Sequence, residues 1–428
     1  MAQPPFSNEL LVQAVANEMD GAIKLLEELV SRNSVVGEEL RAQAFVAETL
    51  VELGFSVDRI LIPESIADDP LAGVPSKSYD GRFNVLGTTP CDGEPTLLLN
   101  GHIDVVPVNR STWATDPFVP VIQDGWLLGR GAGDMKGGFA MAFLAIKALR
   151  SLEPQIVEKN LSFLSVIEEE CTGNGTLAAI RQGIAADAIV LPEPTDLKLL
   201  LGGIPITWVK VTVGFGGGHA ESSNRMASPV DVVAQIIVSL KELETRYNQS
   251  PSPPFDSLGH PYNVNVGVIR LGEWASSVPA ELELELRVGH PSQLSDGDVL
   301  AEVSSLVSRV LGGDAAPTVQ VRAHGFRAEG YSMSSNDVLV GAISEAHASL
   351  HGISPDTEVL GSTTDARYYL NQLGIPALCF GPVVRNMHGS NEAVNLSSIE
   401  TGAATLARFI ASYLLGGGLR GFREGKWW

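Results

Sequence analysis

The run LLLNGHIDVVP, residues 97–107, narrows the folds open to this chain more than any other stretch. Three leucines and an asparagine lead into Gly101 without a charge among them. The segment therefore reads as a short buried strand bounded by turn residues. His102 and Asp104 lie two apart, so on extended backbone they project to the same side. One can ligate a metal while the carboxylate beside it orients or polarises the site.

The flanking sequence alternates helix and strand. Apolar residues recur at helical spacing over 9–30 and again over 39–53, where Gly54 stops them. Residues 55–61 alternate like a strand, and 63–80, rich in Pro, Ser and Asp, read as a surface loop. Strands are expected at 84–88, 96–100, 161–167 and 189–191. A small-residue-rich helix is expected at 137–150, directly after GRGAGDMKGG. This succession predicts an α/β fold, a mostly parallel sheet flanked by helices. Each acidic or His candidate falls just after an apolar strand, at the carboxyl edge where open α/β sheets place their sites.

From Ile206 the texture changes. Strand patterns over 206–213, 262–271, 281–288 and 317–323 enclose helical ones at 229–247 and 294–311. The run Glu-Leu-Glu-Leu-Glu-Leu-Arg ending at Arg287 has one apolar and one charged face, as in an antiparallel sheet with a solvated side. The order βαββαβ makes a small two-layer α+β domain. Helix and strand then alternate again: helices at 336–351, 365–373 and 397–415, and a strand at 377–380. The expected organisation is a catalytic domain in two parts, 1–205 and 326–428, interrupted by an inserted domain at 206–325. A length of 428 residues, beyond one ordinary core, agrees with two domains.

Composition excludes some partners. The net charge of -21 argues against nucleic acid and anionic membrane. No apolar run reaches the roughly 18–20 residues needed to span a bilayer. The start lacks the charged region and apolar stretch of a signal peptide, so a cytoplasmic protein is expected. Cys91, Cys171 and Cys379 are odd in number and widely spaced, which suits a reducing compartment. The terminal pair Trp427 and Trp428 carries no reading.

The chemistry rests on His102, Asp104, Asp134, Glu169, Glu170, Glu193 and His388 taken together. Five carboxylates converging with two imidazoles would repel strongly unless cations sat among them. Nitrogen and oxygen ligands without thiolate suit Zn²⁺, with Co²⁺ or Mn²⁺ able to substitute. A bridging carboxylate could hold two ions roughly 3.5 Å apart.

In chain order, GHIDVVP, GRGAGDMKGG, the Glu triple at 168–170 followed by CTGNGT, LPEPT and MHGSNEAV resemble the M20 metallopeptidase family. That family includes acetylornithine deacetylase, succinyl-diaminopimelate desuccinylase, aminoacylase and glutamate carboxypeptidase. The resemblance extends over nearly the whole chain. It implies a zinc-exopeptidase-like catalytic domain with an inserted dimerisation domain, and so a homodimer. It implies two Zn²⁺ per subunit, His102 and Glu193 on one, Glu170 and His388 on the other, with Asp134 bridging. Asp104 would orient or polarise His102. Glu169 would be general base on the attacking water and then proton donor to the leaving nitrogen. The family's Asp-Glu-Glu order gives these roles to Glu169 and Glu170; the other register gives them to Glu168 and Glu169. The Asp134–Met135 peptide is expected to be cis.

The same resemblance assigns positions around the reaction. His219, in VGFGGGHAESS, stands where M20 dimers carry a His that reaches into the partner's site and stabilises the oxyanion. The chain departs from the family pattern here, with glycines at 214, 216, 217 and 218 and an altered segment from Met226 to Pro229. Arg367, in STTDAR, and Arg287 match arginines that grip a substrate carboxylate. Ser276 or Ser277 replaces the Asn usually found ahead of the Val-Pro pair. Gly361 and Asn391 would line the pocket. The implied activity is hydrolysis of an N-acyl amino acid by a dinuclear zinc deacylase of the deacetylase or desuccinylase type. A carboxypeptidase or dipeptidase using the same machinery is the alternative. A metal-loaded homologue without catalysis is the remote one, against which Glu169 argues.

Overall fold

Helical and strand-like stretches of the sequence sort into two hydrophobic cores. The computed structural model describes residues 6–89, 96–154, 159–226, 228–312 and 318–424. The chain opens with α1 (Asn8–Ser31), α2 (Leu40–Glu52), β1 (Ser56–Leu61), β2 (Phe83–Thr88) and β3 (Leu97–His102). Two short strands, β4 (Val121–Gln123) and β5 (Trp126–Leu128), precede α3 (Gly137–Leu152) and β6 (Leu161–Val166). Next come α4 (Asn174–Arg181), β7 (Ala188–Leu191) and β8 (Leu199–Gly203). A second group runs β9 (Ile206–Gly214), β10 (Gly218–His219), α5 (Pro229–Tyr247) and β11 (Val264–Leu271). It continues with β12 (Ser277–Val278), β13 (Glu281–Gly289), α6 (Asp296–Leu311) and β14 (Thr318–Ala328). The chain returns through β15 (Tyr331–Ser332), α7 (Val338–His351), β16 (Thr357–Leu360) and α8 (Ala366–Tyr368). Last are β17 (Ala377–Cys379), β18 (Val384–Arg385), β19 (Ala393–Asn395), α9 (Leu396–Gly416) and α10 (Gly418–Arg423).

Among the described residues, nine strands form one mixed sheet in the order β1-β2-β6-β3-β7-β17-β8-β15, with β16 paired to β8. Its middle is parallel: β3 lies between β6 and β7, and β17 follows β7 in the same direction. Every residue of β3 is buried, the central strand that its uncharged run predicts. Helices α1, α3, α9 and α7 pack side by side. A methyl at Gly138, in the first turn of α3, would overlap the Pro192 carbonyl. Glycine there lets the start of α3 lie directly against the chain leaving β7.

The second core is an antiparallel sheet, β11-β13-β9-β14, covered by α5 and α6. Leu282, Leu284 and Leu286 of β13 are buried while the glutamates between them are not, as the repeat predicts. They share a core with Ile236 and Leu240 of α5 and with Val299, Val303 and Leu306 of α6. Helix α6 starts at a capping box in which Ser295 and Asp298 each accept the other's backbone N–H.

Some expectations need revision. The last strand, expected over 317–323, runs from Thr318 to Ala328 with a register shift between Ala323 and Arg327; Pro317 lies outside the described residues. At that shift Gly325 (φ +67) pairs in both directions with Val74, at 2.7 and 3.1 Å. A side chain at Gly325 would overlap the Trp208 ring and press on the Cys171 carbonyl. Segment 63–80 is more than a surface loop, because Ile66, Ala72 and Tyr79 are buried and Glu64–Asp68 form a 3₁₀ turn. The helix expected over 365–373 is three residues of α8 followed by a π turn, Tyr369–Leu373. Strands β4, β5, β18 and β19 make a small antiparallel sheet that the sequence did not announce. Strands of two or three residues are too short to show a period. Cys91, Trp427 and Trp428 lie outside the described residues. Among the described residues no helix is long and apolar enough to cross a membrane.

Candidate metal centre

Two sources deliver the acidic and imidazole side chains. His102 ends β3, Glu169 and Glu170 follow β6, and Glu193 follows β7, all at one edge of neighbouring parallel strands. Asp134 and His388 come instead from the small sheet. Asp134 sits in a π turn, Ala132–Lys136, after β5, and His388 lies between β18 and β19. Pairing of β19 with β5 sets those two segments side by side. His388 is held at φ +60, a left-handed conformation that costs a non-glycine residue energy and recurs at functional sites. The Asp134–Met135 peptide is cis.

Asp134 occupies the middle of the cluster. Its Oδ1 is 3.1 Å from His102 Nε2 and its Oδ2 is 3.2 Å from His388 Nε2. Each imidazole has a further carboxylate: Glu193 Oε2 stands 3.8 Å from His102 Nε2, and Glu170 Oε2 stands 3.0 Å from His388 Nε2. His102, Asp134 and Glu170 offer ligand atoms that all lie within 4.8 Å of one another. Glu168 turns away from the cluster. Its carboxylate accepts from Arg82 at 2.5 Å, Tyr79 Oη at 2.6 Å and Thr172 Oγ1 at 2.8 Å.

Asp104 works through more of its atoms than its spacing from His102 implies. Its backbone carbonyl lies 2.9 Å from His102 Nδ1, which leaves Nε2 facing Asp134. Its carboxylate accepts from the backbone N–H of Glu169 and of Glu170, each at 3.2 Å, and so fixes the loop that carries both. Two residues missed in the sequence complete the support. Glu392 Oε1 accepts from the N–H of Gly133 and Asp134 at 2.9 Å, and its Oε2 accepts from Arg130 at 2.5 Å. Arg130 also donates to the carbonyls of His388 at 3.3 Å and Gly389 at 3.2 Å. Glu392 stands inside MHGSNEAV, but a lone acid in a loop looks like any solvated carboxylate.

The cluster is short of positive charge. Burial raises Asp104 to about 8, partly offset by His102. Burial likewise raises Glu193 to about 8, again against His102, with Asp134 adding to the rise. Glu169 is held well above the ordinary carboxyl range by burial, opposed by His102 and reinforced by Asp365, Glu193 and Glu170. Asp134 lies below its usual range despite burial, because both imidazoles bond to it. The Glu170 charge, more than any other influence, pushes His388 up to about 11. Glu170 Oε1 is buried with no hydrogen-bond partner among the described residues. A divalent cation beside Asp134 fits this set of imidazole nitrogens and carboxylate oxygens, and would satisfy that oxygen.

A cavity of about 180 Å³ opens over the cluster, lined by Glu169 and His388 together with Trp208, Arg287 and Phe326. A larger hollow of about 440 Å³, beside His290 and Arg327, contains none of the cluster, so size does not mark the site. Arg287 donates to the Gly361 carbonyl at 2.8 Å. Arg367 is not on the cavity wall. It is buried behind it, 3.3 Å from Asp365 and donating to the Thr364 carbonyl at 2.9 Å. Asn391 accepts from the Ala114 N–H at 2.8 Å and ties two loops together. His219 is exposed on β10, away from this cavity, and accepts from the Glu221 N–H at 3.2 Å.

Residues 98–412 match the family model described as Peptidase family M20/M25/M40. Succinyl-diaminopimelate desuccinylase of Zymomonas mobilis is 31% identical, over 88% of this chain and 94% of its own length. N-formyl-4-amino-5-aminomethyl-2-methylpyrimidine deformylase of Bacillus subtilis is 29% identical, over 87% of this chain and 88% of its own. In fold, human carnosine dipeptidase 1 superposes with a TM-score of 0.76 at 19% identity, over 96% of this chain and 99% of that one.

Proposed function

This chain belongs to peptidase family M20/M25/M40, whose members hydrolyse amide or peptide bonds, and from that premise we propose a dinuclear zinc deacylase of N-acyl amino acids. The observation that carries the reading is Asp134 standing between two imidazoles, each with a carboxylate of its own. His102 and Glu193 would hold one ion, His388 and Glu170 the other, and Asp134 both. Zn²⁺ suits the donors, and Co²⁺ or Mn²⁺ could replace it. Such ions, when bound, polarise the scissile carbonyl and acidify water.

The chain's own residues do the rest. Glu169 takes a proton from the attacking water and delivers it to the leaving nitrogen, work suited to a buried carboxyl held above its usual range. The register with Glu168 as base is disfavoured, since Glu168 is committed to Arg82 and Tyr79. Asp104 keeps Glu169 and Glu170 in place through their backbone. Arg287, with one donor on Gly361, would receive the substrate's carboxylate. Arg367 would support Glu169 from behind the wall rather than touch substrate. Segment 206–325 would pair with its twin in a C₂ homodimer, where the exposed His219 reaches the partner's cavity and holds the oxyanion. We place the protein in the cytoplasm, with no nucleic-acid or membrane partner.

Removal of a small acyl group is favoured over peptide cleavage because the desuccinylase and deformylase relatives both take such a group from nitrogen. The test is a panel of N-acetyl and N-succinyl amino acids against dipeptides, run with Glu169→Gln beside the native protein. The native protein is expected to favour the acyl amino acids. Glu169→Gln is expected to lose about 10³-fold in kcat with metal content unchanged. Stronger turnover of dipeptides would replace the deacylase by a dipeptidase or carboxypeptidase. An unchanged rate in the variant would remove Glu169 as base.

A further inference from the structure

Trp208 is out of place for its strand. Buried Val209, Val211 and Val213 mark the core face of β9, and the alternate positions Lys210 and Thr212 are polar, as an open face requires. Trp208 shares that open face and yet is a large aromatic. It meets Phe326 of β14 with ring centroids 5.4 Å apart and planes at 80°, so the two make a right-angled corner. Both rings line the cavity above the acidic cluster. Arg367, 5.6 Å from the Phe326 centroid, adds a cation against that ring. Trp208 is also the direct cross-strand neighbour of Arg287. Such neighbours have Cβ atoms about 5 Å apart on one face.

We propose that this corner recognises an aromatic ring, and that the preferred substrates are N-acyl derivatives of aromatic amino acids. The proposal deepens the deacylase reading and rests on it. In an aromatic amino acid two carbons separate the carboxylate from the ring, so a carboxylate on Arg287 leaves the ring close by, on the side where its strand neighbour Trp208 stands. With the carboxylate on Arg287, the ring enters the corner and can stack on one plane while meeting the other edge-on, both favourable geometries for aromatic pairs. The scissile amide then points toward Glu169 and His388, which bound the same cavity. At about 180 Å³ the space is small against the roughly 300–1,000 Å³ of most ligand sites, which suits one ring and a short acyl group.

The experiment compares kcat/KM of the metal-loaded protein for N-acetyl-phenylalanine and N-acetyl-tyrosine with that for N-acetyl-leucine. A preference of about 10- to 50-fold for the aromatic pair is expected, within the range a shaped apolar pocket achieves. Trp208→Leu and Phe326→Leu, which keep the wall apolar, are expected to shrink that ratio to about threefold or less, mainly through KM; Trp208→Phe should restore most of it. The comparison in the native protein stands even where a variant does not fold. Equal turnover of leucine and phenylalanine derivatives would overturn the corner's role and leave the deacylase reading intact. If only dipeptides are hydrolysed, the deacylase reading falls, and the corner is tested by free phenylalanine against free leucine as inhibitors. Equal inhibition would then overturn it as well.

Discussion

At the scale of single residues, the acidic cluster depends on contacts one step removed from the side chains that would hold metal. Arg130 binds Glu392, which holds the Asp134 backbone, and it also grips the carbonyls at His388 and Gly389. Arg130→Met should therefore weaken metal binding about 10- to 100-fold, the usual cost of losing an outer partner, as read by competition with a chromogenic chelator. Unaltered affinity would mean that the two loops hold their places without it. The clustering of His102, Asp134, Glu170, Glu193 and His388 was legible because each lies in a motif whose order is hard to reach by chance. Arg130 and Glu392 were not, since their roles are set by hydrogen bonds between segments about 260 residues apart. Arg367 shows the converse: its motif points toward substrate and does not reveal that its neighbours Asp365 and Thr364 hold it buried.

At the scale of elements, periodicity did most of the work. Helices α1, α5, α6, α7 and α9 begin and end within about two residues of their patterned stretches, several of them at side-chain caps such as Ser228, Asp337 and Asn395. The small sheet that delivers Asp134 and His388 left no trace, because its strands are fixed by pairing across the chain rather than by local pattern. Helix α7 also carries a pH response. His347 sits against Phe380 and beside His351, and Thr405 Oγ1 lies 3.0 Å from its Nδ1. Burial first, and the His351 charge second, lower it from 6.5 to about 4. The folded chain then refuses a proton that the unfolded chain accepts below pH 6.5, so this contribution is lost as pH falls from 6.5 toward 4 and is fully present above. His347→Gln, which can keep a hydrogen bond to Thr405, should narrow the drop in Tm between pH 7 and pH 5. A drop of undiminished size would place the acid sensitivity elsewhere.

At the scale of the whole molecule, the ions would join two sheets that already meet at Asp134 and His388. The side chains that would hold them come from the edge of the nine-stranded sheet and from the small sheet beside it, and without cations those carboxylates repel. Exhaustive chelation should abolish turnover and lower Tm by several degrees, and added Zn²⁺ should restore both. Activity that survives chelation would refute a metal-dependent reaction. The seam between Val74 and Gly325 has a different consequence. Because Gly325 abuts both the Trp208 ring and the Cys171 carbonyl, any side chain there would press at once on a wall of the cavity and on the loop that carries Glu169 and Glu170. A substitution at that glycine is therefore expected to alter selectivity and turnover together, and a change in one without the other would mean that the two are not joined there.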